Sequence, residues 1–169
     1  MFVDFHGVYE RYSQEVYRFA CCLCGDPAFA EEITQETFVR AWVTPGKVRT
    51  GTVKAYLFMI ARNLYRAELK REARHVALDH ELPDSRPDVQ RASDARFELE
   101  DVLQSLQTLA ETDRAALLMH VQSMPYAEIA AALGLSLSAV KVRIHRARIK
   151  LHQLQLGKHR SNPSYGQPR

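Results

Sequence analysis

Two apolar runs at helical spacing meet at a single glycine between Tyr126 and Leu151, and this juncture constrains the chain more than any other feature. Tyr126 to Leu133 reads as a short helix opened by Pro125, with Ile129, Ala130 and Leu133 facing inward. The small Ala130 lets a second helix cross closely. Gly134-Leu135-Ser136 reads as the turn, because glycine tolerates the backbone angles of a sharp change of direction. Ser136 or Ser138 is placed to cap the next helix. There Val140, Ile144, Ala147 and Leu151 recur at i, i+4, i+7 and i+11, which makes one buried stripe. The opposite face offers Ser138, Lys141, Val142, His145 and Arg148, flanked by Arg143 and Arg146. A helix packed on one side, with long hydrogen-bonding side chains on the other, is what major-groove reading requires. The spacing does not separate base readers from phosphate clamps.

Charge supports a polyanion partner for that end of the chain. Net charge is only +3, yet Glu128 is the last acidic residue of the 169. Beyond it stand Lys141, Arg143, Arg146, Arg148, Lys150, Lys158, Arg160 and Arg169. Residues 76–101 are the reverse, with 3 basic and 8 acidic side chains.

The remainder also reads as helix, with no period-2 strand pattern and no hairpin signal. A first helix is expected over about Val8 to Leu23, striped by Val8, Tyr12, Val16, Phe19 and Leu23, and ended by Gly25. Asp26-Pro27 opens a second that runs to about Val43, with Ile33, Phe38, Ala41 and Trp42 on its buried side. Thr44-Pro45-Gly46 stops it, and Lys47 to Thr52 is a basic loop. A third helix, Val53 to about Arg74, is apolar nearly all round over residues 55–61 and then turns cationic through Arg62, Arg66, Lys70, Arg71 and Arg74. Residues from His75 to about Ala95 lack periodicity and read as an acidic linker. A second helical unit begins near Phe97, with Leu99, Val102, Leu103, Leu106 and Leu109 on one stripe. Another helix follows from Glu111 to about Gln122, carrying Ala115, Leu118, Met119 and Val121. The fold class is therefore all-α: two small helical domains joined by a flexible acidic linker. The stretch from Gly157 to Arg169 is expected to be disordered.

Cys21, Cys22 and Cys24 form an odd cluster, which makes no disulfide framework. Small thiols packed in a helix are the favoured reading, and a redox or metal-sensing role the weaker one. No paired carboxylates, P-loop or nucleophile constellation suggests an enzyme. No apolar run spans a membrane, the N-terminus does not read as a signal peptide, and a cytoplasmic location is expected.

Two motif sets in order resemble the extracytoplasmic-function (ECF) sigma factors of bacterial RNA polymerase, a compact group of the sigma-70 family. Residues 32–42 resemble the polymerase-binding helix of sigma domain 2, and residues 55–64 the following helix that melts and reads the −10 element. Residues 126–130 and 140–148 resemble the −35-reading helices of sigma domain 4. The resemblance implies domain 2 over residues 1–75, a linker over 76–96, domain 4 over 97–156 and a tail over 157–169. It implies that Gln35, Glu36 and Arg40 dock on the β′ clamp helices. Lys47, Arg49, Thr50, Asn63, Arg66 and Lys70 would meet the −10 strand, and Ser136, Ser138, Lys141, Val142, His145, Arg146 and Arg148 the −35 groove. The helix around Leu106–Met119 would meet the β flap. Core polymerase, promoter DNA and an anti-sigma factor are the implied partners, with no cofactor, no metal and no membrane insertion. The alternative is a helix-turn-helix regulator that does not bind core polymerase.

Overall fold

The computed structural model describes residues 4–44, 52–78 and 94–161, and among these every regular element is a helix. Helix α1 (Phe5–Cys24) starts where the Asp4 carboxylate accepts the Gly7 N–H at 3.0 Å, and ends at Gly25 in the left-handed region, φ 74°. Asp26 Oδ1 then accepts the free N–H groups of Ala28 and Phe29 and starts α2 (Pro27–Val43), with the proline in its first turn. Helix α3 (Val53–Leu78) crosses both. Their shared core holds Val16, Leu23, Ile33, Phe38, Leu57 and Ile60, with Phe19 and Phe58 stacked at 4.4 Å between ring centroids. The buried hydroxyls of Thr34 and Thr37 donate to carbonyls one turn back, so neither is stranded in apolar surroundings.

The second unit comprises α4 (Asp94–Gln107), α5 (Glu111–Val121), α6 (Tyr126–Leu133) and α7 (Leu137–Ser161). Helix α5 is its axis: residues 113–119 are all buried, and it packs on both α6 and α7. Arg114, 4% exposed, donates to the carbonyls of Leu106 and Leu109 at the C-terminal end of α4, where the helix carbonyls stabilise a cation.

The two units meet. Helix α1 packs on α4 and α5, and α3 on α6, so one apolar core runs through both. Polar contacts rim this junction. Arg62, with 5% of its side chain exposed, forms a bidentate pair with Glu111 at 2.7 and 2.9 Å and also reaches the Thr112 hydroxyl. Arg114 Nη2 donates to the Tyr65 hydroxyl, Lys54 Nζ to the Gln122 carbonyl, and Thr52 Oγ1 to Glu128.

Several sequence expectations are corrected. Trp42 is 56% exposed, resting edge-on against Phe5, because Ala41 is the residue of that turn that meets the core. Leu99 and Val102 are 55% and 54% exposed, since α4 buries only its C-terminal half through Leu103 and Leu106. Val121, the last residue of α5, is likewise exposed. Residues 76–78 and 94–96, expected in the linker, belong to α3 and α4. Residues 157–161, expected to be disordered, continue α7.

Candidate nucleic-acid interface

The juncture at Gly134 forms as its residues demand. Gly134 adopts φ 65°, ψ 37°, and its N–H and that of Leu135 close the end of α6 onto the Ala131 and Ala130 carbonyls. Ser136 is the cap of α7, its Oγ accepting the Ala139 N–H at 3.2 Å, while the Ser138 hydroxyl bonds to that of Ser136. Val140, Ile144 and Ala147 are 0–2% exposed, and Leu151 completes the stripe at partial burial. The rotation that buries these four turns Ser138, Lys141, Val142, His145, Arg146 and Arg148 to solvent. Tyr126 steadies one of them: its ring stacks on His120 at 5.0 Å and carries Lys141 Nζ 6.0 Å from its centroid. Ser136, Ser138, Ala139, Val142, Arg143 and Arg146 line a shallow depression on this face.

One feature of the face has no signal in the helical period. Asp113, buried on α5, accepts a hydrogen bond from Arg143 Nη1 at 2.8 Å and lies 3.8 Å from Arg146 Nη1. The acid stands 30 residues from Arg143, and only the packing of α5 on α7 joins them.

On α3, Asn63, Arg66 and Lys70 fall at i, i+3 and i+7 and are exposed together, a polar and cationic stripe on the outer side of the first unit. Lys47, Arg49 and Thr50 lie outside the described residues. Gln35 and Arg40 are exposed and Glu36 half-buried on α2, with Arg40 Nε paired to Glu36 at 2.7 Å. Val39 and Val43 extend the same face, 54% and 72% exposed. Between Leu106 and Met119 little is free for a partner, since Leu106 and residues 113–119 are buried.

The cysteines are free and partly buried on the inner side of α1. Burial pushes all three thiols up, Cys24 to about 11, so the reactive thiolate is scarce at neutral pH. Among the described residues no group of three His, Cys, Asp or Glu is placed to hold a metal ion.

Comparison with known proteins agrees with this geometry. The family model for sigma-70 region 2 matches residues 8–75, and that for sigma-70 region 4 matches residues 99–151. The ECF RNA polymerase sigma factor SigL of Mycobacterium tuberculosis is 31% identical over 160 residues, covering 88% of this chain and 89% of that protein. The chain belongs to the ECF sigma factors.

Other relatives of this sigma factor include SigE of Mycolicibacterium smegmatis, 33% identical over 159 residues, 89% of this chain and 61% of that protein. SigM of Bacillus subtilis is 29% identical over 150 residues, 87% of this chain and 92% of that protein. Among solved structures, the sigma factor RpoE of Bartonella quintana, in complex with the anti-sigma factor NepR, superposes with a TM-score of 0.77. Its identity is 26%, over 90% of this chain and 96% of that one. CnrH, in complex with the cytosolic domain of CnrY, gives 0.70 at 29% identity, over 90% and 88%. Both superpositions take in the two helical units of this sigma factor together.

Proposed function

We propose that this sigma factor binds core RNA polymerase, directs it to promoters through −35 and −10 elements, promotes initiation, and has no catalytic activity of its own. The observation that carries the reading is the pairing, in one chain, of a helix-turn-helix with an exposed cationic face and an exposed stripe of Asn63, Arg66 and Lys70. The first suits a major groove. The second suits an unpaired strand, whose bases must be held once they leave the stack. In this reading residues 1–75 and 97–156 act as sigma domains 2 and 4. Ser136, Ser138, Lys141, Val142, His145, Arg146 and Arg148 face the −35 groove, and the −10 strand is met by Asn63, Arg66 and Lys70 together with Lys47, Arg49 and Thr50, which lie outside the described residues. Gln35, Glu36 and Arg40 dock on the β′ clamp helices. The β flap contact falls in the region around Leu106–Met119, where Gln107, Thr108 and Ala110 are exposed. The protein works in the cytoplasm, where core polymerase and DNA meet; no described helix is long and apolar enough to cross a membrane.

The two units cannot serve both elements as they stand. Some 25 base pairs of duplex extend about 85 Å at 3.4 Å each, whereas a compact chain of this length has a radius of gyration of about 15 Å. The junction at Arg62 and Glu111 therefore opens on the promoter. The joined arrangement fits an anti-sigma partner, since relatives captured with such partners superpose over both units.

Gel filtration of the purified protein with core polymerase tests the reading. Co-migration is expected, and Gln35→Ala with Arg40→Ala should weaken it. A chain that binds DNA but never travels with core is a regulator of another kind.

A further inference from the structure

Asp113 stands on the first turn of α5, where that helix packs against α7. Its side chain is 6% exposed. One oxygen takes the Arg143 N–H at 2.8 Å and the other faces Arg146 at 3.8 Å. A single buried carboxylate thus reaches two arginines of the helix assigned to the −35 groove. We propose that Asp113 is a positioning residue for −35 recognition: it presets the guanidinium groups of Arg143 and Arg146 and withholds them from indiscriminate phosphate contact. The proposal rests on the reading of α7 as the −35 helix.

The physical case has three parts. First, bidentate recognition of a guanine edge needs a guanidinium in a fixed plane, and an arginine held by a second group before DNA arrives loses less freedom on binding. Arg143 is the more firmly held, with 33% of its side chain exposed, while Arg146 at 63% keeps an edge free for DNA. Second, the acid tempers charge. Two unpaired arginines side by side attract any phosphate; a carboxylate between them removes part of that unspecific attraction and leaves the directional part. Third, the other paired acids of the second unit are engaged elsewhere: Glu111 with Arg62, Glu128 with Thr52, Asp101 with Lys158. Among the described residues Asp113 is the one carboxylate within 4 Å of these arginines. An acid in the first turn also suits the positive end of α5. That role alone would affect melting and leave sequence preference untouched.

The test uses holoenzyme assembled from core polymerase and the full chain. It is offered promoter-length duplex DNA randomised over ten upstream base pairs, at several salt concentrations. The wild type is expected to enrich one upstream sequence. Asp113→Asn should lower the preference for enriched over scrambled DNA about tenfold and steepen the fall of log affinity with log salt by about one ion. Asp113→Glu, which returns the charge, should recover most of the preference. Arg146→Lys keeps a cation at an exposed position but loses the planar fork. It should lose affinity for the enriched sequence, while affinity for scrambled DNA and the salt slope stay at the wild-type values. Wild-type preference and salt slope in Asp113→Asn overturn the proposal, as does equal loss in Asp113→Asn and Asp113→Glu. Should Asp113→Asn fail to fold, Arg146→Lys decides, and unchanged preference there overturns the proposal. A wild-type holoenzyme that enriches no upstream sequence overturns the −35 reading itself, and this proposal with it.

Discussion

Gly134 bears the change of direction between α6 and α7 at φ 65°, and a Cβ built there meets nothing within 4 Å. A side chain at this position would suffer from the backbone alone. Gly134→Ala should therefore cost about 1–2 kcal/mol, read from chemical denaturation, and Gly134→Asn less. Lys141 and Arg146 present the opposite case, exposed groups whose loss the fold tolerates. Lys141→Ala or Arg146→Ala should weaken −35-dependent transcription by about 1–3 kcal/mol where the contact is to a base edge. Binding to core polymerase should be unchanged, and its loss would mean that α7 has been misassigned. Cys24 carries a pH dependence. Its thiol is pushed by burial from 9.0 to about 11, so the folded chain holds that proton more tightly than the unfolded one. The stability it contributes is complete below pH 9 and drains away toward pH 11. Melting curves across that range should show a smaller alkaline loss in Cys24→Ala.

At the scale of elements, the end of α1 and the start of α2 were legible because caps are local, whereas α1 starts at Phe5, a turn before the expected Val8. Asp26 and Gly25 are named by their neighbours, and both behave as such residues do. Asp26→Ala should lower stability by about 1 kcal/mol in denaturant titration. The buried stripe of α7 was legible for the same reason: a period of 3.6 is written within one helix. Trp42, Leu99 and Val102 show where that logic stops. An apolar residue at helical spacing declares which face wants cover, and nothing in the period says whether the chain itself supplies it. On α4 only the C-terminal half is buried, and in the last turn of α2 it is Ala41, not Trp42, that meets the core. The contact of Asp113 with Arg143 was hidden in a different way. It joins two helices through packing, and each looks complete in its own period.

For the whole molecule, the two-unit plan was legible and the joining of the units was not. Arg62 and Glu111 are 49 residues apart, on either side of the acidic segment, and no local pattern matches one charge to the other. Removing one partner strands the other at low exposure, a cost of about 3–5 kcal/mol if the junction stays closed. Separation relieves that cost by returning Arg62 to water. Glu111→Ala should therefore raise the radius of gyration measured by small-angle X-ray scattering, and an unchanged value would mean that the shared apolar core holds the units together without the pair.

In the proposed reading this sigma factor gives core polymerase a promoter preference through two separate contacts. Mapping start sites by sequencing, after transcription of fragmented genomic DNA by core polymerase with and without the purified protein, tests it most directly. New starts that share a −35 and a −10 element are expected, weakened by Arg146→Ala and by Asn63→Ala while core binding persists. Start sites indistinguishable from those of core polymerase alone would contradict it.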